Sequence, residues 1–221
     1  MVARSNASRS DAVTRHTDYF AGAAGRLQVV VDAPGQSPLG VALVAHPHPL
    51  MGGTLDNKVA QTLARAFNDA GCVAWRANFR GVGESAGVHD AGNGETDDLL
   101  LLVQALRARH PGLPLFLAGF SFGAFVQARV AARLLANGLE PPARMMLVGT
   151  AVARFDVPGV PAGTLLIHGE QDDVITLQAL LDWARPQELP VLVIPGADHF
   201  FHRRLHLIRS AVVSAVHDTR R

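Results

Sequence analysis

The chain has 221 residues, of which 48% are hydrophobic and 18% are charged. This composition is typical of one soluble globular domain whose core is large enough to fold without disulfides. The net charge is only +1, no basic block occurs and aromatic residues make up 6%, so a nucleic-acid-binding surface is not expected. The single cysteine, Cys72, excludes an internal disulfide and a cysteine-based zinc cluster.

The N-terminal segment 1–14 is rich in Ser and Arg, and it predicts a polar tail ahead of one domain covering 15–221. No apolar run is long enough to cross a bilayer, and the first residues lack the apolar core of a signal peptide. We therefore expect a cytoplasmic protein without membrane contact.

Two short strands begin the predicted domain. His16–Phe20 and Arg26–Asp32 flank the small residues 21–25 and predict an N-terminal hairpin. Leu39–Ala45 follows, and its continuous apolar character indicates a strand buried on both faces, as parallel sheets require.

Helices and strands then alternate to the end of the chain. The predicted helices are Lys58–Asp69, about 95–109, about 122–136, Thr176–Trp183 and Arg203–His217, and the predicted strands are Cys72–Phe79, Leu113–Phe120, Met145–Val148, Thr164–Ile167 and Val191–Ile194. This alternation predicts an α/β fold, with a doubly wound, mostly parallel sheet.

One strand-to-helix junction carries a G-x-S-x-G sequence, residues 119–123. Such a junction predicts a sharp turn with Ser121 at its apex, in a strained backbone conformation that small neighbours permit. The Ser121 hydroxyl would then project beside the positive end of the following helix. Ser121 is therefore the predicted nucleophile.

Two later strand ends supply partners for this serine. Residues 168–173 read His-Gly-Glu-Gln-Asp-Asp, and residues 195–200 read Pro-Gly-Ala-Asp-His-Phe. A serine hydroxyl needs a base, and the base needs an acceptor that fixes its tautomer. We assign His199 as the base and Asp172 as the acid, with the adjacent Asp173 as the alternative.

The chain resembles the α/β-hydrolase superfamily, and in particular small lidless bacterial serine hydrolases related to the dienelactone hydrolases. The resemblance runs from about His16 to the C-terminus and is carried by 46–53 with 56–58, by 79–85, by 119–123, by 168–172 and by 196–201. It implies that the acid is Asp172, four residues after His168. Dienelactone hydrolases use a cysteine nucleophile, so their substrate is not carried over to a chain with Ser121.

An acyl-transfer enzyme also needs N–H donors for the oxyanion. One predicted donor is Phe122, directly after the nucleophile. The other should come from the loop after the first parallel strand, where Pro47 and Pro49 have no N–H and His48 or Leu50 remain. The resemblance favours the main chain of His48.

Two other motifs have less specific interpretations. His46 and His48 have the spacing of metal ligands, but no third ligand is suitably spaced nearby, so a metal site is not expected. Residues 81–86 match G-x-G-x-x-A after a strand, but a second glycine-rich stretch separates them from the next helix. We therefore predict a structural turn there rather than a dinucleotide site.

The connection 149–163 is too short for a helical cap, so the sequence predicts an open, shallow, apolar cleft. The residues expected near it are Leu50, Met51, Phe120, Phe122, Phe155 and Phe200. The expected function is cofactor-independent hydrolysis of small carboxylic esters through an acyl-enzyme, with the triad Ser121, His199 and Asp172. The alternatives are a thioesterase, a small-peptide hydrolase with the same triad, and a binding protein that keeps the fold without turnover.

Overall fold

Strands and helices alternate along residues 13–219, the part of the chain that the computed structural model describes. The strands are β1 (Thr14–Gly22), β2 (Gly25–Ala33), β3 (Gly40–Ala45), β4 (Cys72–Ala77), β5 (Leu115–Phe120), β6 (Arg144–Val148), β7 (Leu165–Gly169) and β8 (Val191–Ile194). The helices are α1 (Lys58–Asp69), α2 (Asn93–Arg109), α3 (Phe122–Ala136), α4 (Leu177–Ala184) and α5 (Leu205–Asp218), with short 3₁₀ turns at Pro49–Met51 and Arg185–Gln187.

The eight strands form one sheet in the order β1-β2-β4-β3-β5-β6-β7-β8. The pairs β1–β2 and β2–β4 are antiparallel, and the remaining five pairs are parallel. The predicted mostly parallel sheet with an N-terminal hairpin is therefore confirmed. The turn of this hairpin is shorter than the predicted segment 21–25, because Gly22 pairs with Gly25 and both strands extend almost to the tip.

The central strands are buried because helices cover both faces of the sheet. Every residue of β3, β4 and β5 is buried, as their continuous apolar sequences predict. Side chains of α2 and α3 build the core on one face, and side chains of α1 and α5 build it on the other. The sheet is thus doubly wound. The helices cover its faces, so a site is expected at the carboxyl ends of the parallel strands.

The connection between β6 and β7 contains no helix, so no cap domain covers this edge in the described chain. Among the described helices, none is both long and apolar enough to cross a membrane. Most of the polar tail predicted for residues 1–14 lies outside the described residues, and Thr14 already belongs to β1.

A buried ion pair, which the sequence did not predict, joins β2 to β4. Arg76 Nε lies 3.1 Å from Asp32 Oδ2, and both side chains are almost fully buried. Arg76 Nη1 also donates to the Leu55 carbonyl at 2.6 Å, and Arg15 contacts the other carboxylate oxygen of Asp32. The pair therefore links the N-terminal hairpin to the parallel part of the sheet.

Candidate active site

Ser121 lies at the turn between β5 and α3, with backbone angles φ 54° and ψ −115°. This left-handed region is strained for a residue with a side chain. Two glycines make the turn possible: a Cβ on Gly119 would lie 2.4 Å from the Gly123 carbonyl carbon, and a Cβ on Gly123 would lie 2.4 Å from the Ala45 carbonyl oxygen. The tight turn places Ser121 at the positive end of α3.

The structure brings the three predicted residues into one hydrogen-bonded chain. Ser121 Oγ lies 3.1 Å from His199 Nε2, and His199 Nδ1 lies 2.7 Å from Asp172 Oδ2. His199 and Asp172 are buried, whereas Ser121 is partly exposed. The alternative acid, Asp173, is exposed, and Asp172 is the carboxylate that contacts the histidine.

Asp172 is held by the loop that follows β7. Its Oδ1 accepts the N–H groups of Val174 and Ile175 at 3.0 and 2.8 Å. Burial raises the pKa of Asp172, but the hydrogen bonds from His199 and Ile175 outweigh it and leave this pKa below its usual value. An ionised Asp172 favours the tautomer of His199 that carries its proton on Nδ1, so that Nε2 is able to accept the Ser121 proton.

Two backbone N–H groups near Ser121 are candidate oxyanion donors. Phe122 is the first residue of α3, so its N–H has no acceptor within that helix. The Leu50 N–H is engaged, because it donates to His48 Nδ1 at 3.2 Å. The rings of His48 and Phe122 lie 4.8 Å apart, so these two residues are neighbours at the turn. Of the two loop candidates, His48 therefore stays the prediction.

Comparisons with known proteins show the superfamily to which this fold belongs. A family model described as serine aminopeptidase, S33, matches residues 52–156, which include Ser121. A lidless α/β serine hydrolase from Xanthomonas campestris is 36% identical, with 92% of this chain and 94% of that chain covered and a TM-score of 0.84. The chain belongs to the α/β-hydrolase superfamily.

Two further proteins are similar to this hydrolase over most of their length. An α/β serine hydrolase homologue from Coxiella burnetii is 33% identical, with 93% of this chain and 99% of that chain covered and a TM-score of 0.83. An uncharacterised protein of Rickettsia prowazekii is 28% identical in an alignment of 211 positions that covers 88% of this chain and 85% of that protein.

Three of the apolar residues predicted near the cleft are exposed in the hydrolase. Leu50 is 72% exposed, Met51 is 84% exposed and Phe200 is 49% exposed. Exposed apolar side chains at the edge of a site are available to contact an apolar part of a ligand.

The other predicted aromatic residues lie behind the site rather than on its surface. Phe120 is fully buried, and its ring lies 5.0 Å from the ring of His199, so it packs against the histidine. Phe155 is partly buried and stacks on Phe125 at 4.7 Å, while Phe122 is buried between that pair and His48. The hydrophobic character of Phe120, Phe122 and Phe155 indicated that they pack near the site. It did not indicate which neighbours each ring contacts.

The sequence did not indicate a role for His168, which packs against Asp172 in the hydrolase. The fully buried ring places Nε2 2.8 Å from the Ile175 carbonyl and 3.5 Å from Asp172 Oδ2. Burial lowers the pKa of His168, so the neutral ring donates its Nε2 proton to Ile175. His168 therefore helps to hold the loop that carries Asp172. Its position at the end of β7, four residues before the acid, was the available signal.

His46 and the segment 81–86, whose spacings are those of metal ligands and of a dinucleotide site, form hydrogen bonds within the fold. His46 Nε2 accepts the Phe79 N–H at 3.0 Å, and no group of three or more His, Cys, Asp or Glu residues within 13–219 is arranged to hold a metal. Residues 81–86 form a turn in which the Ser85 N–H donates to the Val82 carbonyl at 3.0 Å. No helix begins there, because α2 starts only at Asn93.

Proposed function

We propose that this protein is a serine carboxylic-ester hydrolase that works through an acyl-enzyme, without a metal or organic cofactor. The observation that carries the proposal is the chain of contacts from Ser121 Oγ through His199 to Asp172, at 3.1 and 2.7 Å. Serine nucleophiles of this type need a base and an oriented acceptor, and the distances to His199 and Asp172 support these two roles.

In the acylation step, His199 Nε2 takes the Ser121 proton while Oγ attacks the ester carbonyl. The N–H groups of Phe122 and His48 are the proposed donors to the developing oxyanion, and one such donor contributes roughly 3 kcal/mol. His199 then protonates the leaving alcohol, and the acyl group stays on Ser121. The ionised Asp172 stabilises the imidazolium that forms during this step.

In the deacylation step, His199 removes a proton from water, which attacks the acyl-enzyme carbonyl. The second tetrahedral intermediate uses the same oxyanion donors, and His199 returns the proton to Ser121 as the acid leaves. A thioester would follow the same path with a thiol as leaving group, so the triad alone does not decide between the two.

Substrate size follows from the open edge of the sheet. No cap encloses the site in the described chain, and the exposed side chains nearby include Leu50, Met51 and Phe200. Such a surface contacts the apolar part of a small soluble ester but does not enclose a long chain. We therefore propose a small-molecule ester as substrate, with a thioester as the alternative.

The description of the matching family model raises peptide hydrolysis as a second candidate. An aminopeptidase needs an anionic group for the substrate ammonium. The acid beside the proposed base, Asp198, already accepts the His202 N–H at 3.1 Å and contacts the His202 ring. Asp198 is therefore already engaged, and we keep an ester as the proposed substrate.

A fluorophosphonate probe combined with a panel of acyl esters and thioesters of increasing chain length tests this function. We expect the wild-type protein to label and to hydrolyse esters, and Ser121→Ala to lose labelling and at least about a thousandfold in kcat/KM. Ser210→Ala, an exposed serine on α5, is the matched control and should behave as wild type. No labelling of the wild type would favour the binding-protein alternative, and a thioester preference would change the reaction type.

A further inference from the structure

A cavity of about 470 Å³ lies between the start of α1 and the segment that joins β8 to α5. Its lining residues include Asn57, Lys58, Phe200, His202, Arg203 and Leu205. We call it the cationic cavity, because these residues include three basic side chains and no acidic one.

The cationic cavity adjoins the proposed triad through one shared wall. Phe200 follows the proposed base directly, and its ring lies 5.3 Å from the ring of His199. The same ring lies 6.2 Å from Phe120, which supports His199 from the core. Phe200 is therefore a wall that the cavity shares with the surroundings of His199.

Two of the basic side chains in the cavity have no internal partner. Lys58 is the only lysine in the chain. Lys58 and Arg203 are both exposed, and neither side chain forms a hydrogen bond or ion pair with any residue in 13–219. Nine other arginines within 13–219 do form an ion pair with a carboxylate, as Arg209 does with Asp69. His202 is compensated by Asp198, so the uncompensated charge comes from Lys58 and Arg203.

The backbone beside His199 holds Arg203 at the cavity in a strained conformation. Phe201 and Arg203 have φ angles of 54° and 61°, which residues with large side chains rarely adopt. Phe201 is fully buried and anchors the segment between β8 and α5. Strain of this kind persists where the surrounding structure imposes it, and it concentrates at ligand-binding sites.

We propose that the cationic cavity binds a carboxylate of the substrate, at a position remote from the ester that reacts at Ser121. The guanidinium of Arg203 is suited to two hydrogen bonds with a carboxylate, and the ammonium of Lys58 adds a point charge. Phe200 and Leu205 contact the aliphatic chain between the two groups. This proposal rests on the proposed ester hydrolysis, and it names half-esters of dicarboxylic acids as the substrate class.

Paired substrates test the proposal: monoethyl adipate, which carries a free carboxylate, and diethyl adipate, which does not. We expect wild type to prefer the half-ester, and Lys58→Gln and Arg203→Gln each to lower the ratio of half-ester to diester kcat/KM by roughly three- to tenfold. The change should appear mainly in KM. Added salt should lower the wild-type ratio, because exposed charges are screened. Arg65→Gln removes an exposed charge from the same helix outside the cavity, and its ratio should equal that of wild type.

A binding measurement separates failure of this proposal from failure of the proposed function. Monoethyl adipate is titrated into Ser121→Ala protein by NMR, with and without the Lys58→Gln change, and the second change should raise Kd several-fold. Ester hydrolysis with a ratio unchanged in both cavity variants would overturn the cavity proposal and leave the function intact. If no ester is hydrolysed, the proposed function fails, and the effect of Lys58→Gln on Kd alone supports or overturns the cavity proposal.

Discussion

At the scale of single residues, His46 and His199 show how the surroundings of a histidine decide its use. His199 keeps Nε2 directed at a hydroxyl, at 3.1 Å from Ser121 Oγ. Both nitrogens of His46 instead contact backbone groups. Nε2 accepts the Phe79 N–H at 3.0 Å, and Nδ1 lies 2.7 Å from the Pro47 carbonyl. His46 therefore fixes the start of the loop that carries the proposed donor His48.

This burial of His46 predicts how stability depends on pH. Burial lowers the pKa of His46 to about 4 from 6.5, and the hydrogen bond to Pro47 offsets only part of that effect. Because the unfolded chain binds the proton more tightly, the stabilisation is complete above pH 6.5 and is lost as pH falls toward 4. The full loss from this residue is about 3 kcal/mol.

Urea unfolding of wild type and His46→Gln across this pH range measures the effect. His46→Gln should be less stable at neutral pH, and its free energy of unfolding should fall less steeply on acidification. His206→Gln changes an exposed histidine and should keep the wild-type slope. Equal slopes in His46→Gln and wild type would show that His46 is not the group responsible.

At the scale of elements, the turn between β5 and α3 depends on how closely α3 approaches β3. A Cβ on Gly123 would lie 2.4 Å from the Ala45 carbonyl oxygen and 2.5 Å from that of His46. These contacts are with backbone atoms, which are unable to rotate away. The buried Gln127 strengthens the same junction by donating to the carbonyls of Leu43 and Ala118 at 2.8 and 3.2 Å.

Gly123→Ala should therefore destabilise the protein by about 3 kcal/mol, since the added methyl group has to displace backbone. The displacement would also move Ser121, so kcat of any ester substrate should fall further than the loss of folded protein explains. Gly159→Ala is a suitable control, because its Cβ would meet only the end of the Gln187 side chain at 3.3 Å. Thermal unfolding and active-site titration compare the two variants, and a Gly123→Ala protein with wild-type Tm would contradict the prediction.

Much of this element-level structure could be predicted, because each strand and helix carries its own local signal. The apolar run before Gly119 and the glycines around Ser121 predicted the strand, the turn and the helix together. Asp172 and His199 could be named because each closely follows a predicted strand. The ion pair of Arg76 with Asp32 could not be predicted, since the partners lie 44 positions apart and β4 otherwise reads as apolar. The cationic cavity was missed for the same reason, because Lys58 on α1 and Arg203 in the segment before α5 lie far apart along the chain.

At the scale of the whole molecule, the missing cap determines the kinetics expected with poorly soluble esters. Enzymes with a lid change rate when the lid opens. The connection between β6 and β7 contains no helix that could move in this way. We therefore expect the rate to rise smoothly with the concentration of a p-nitrophenyl ester and to show no jump at its solubility limit. A sharp increase above that limit, recorded by absorbance, would require a mobile cover over Ser121.

Because of the order of the strands, local unfolding should displace His199 more easily than Ser121. Ser121 follows β5, which is paired on both sides, whereas His199 follows β8, a four-residue strand at the end of the described sheet. Edges of a fold open at lower free-energy cost than its centre. Warming should therefore separate the base from the nucleophile before the sheet melts, so ester hydrolysis should decline reversibly at temperatures where circular dichroism is unchanged. An activity loss that coincides with melting would instead mean that the buried Phe201 keeps the edge as stable as the core.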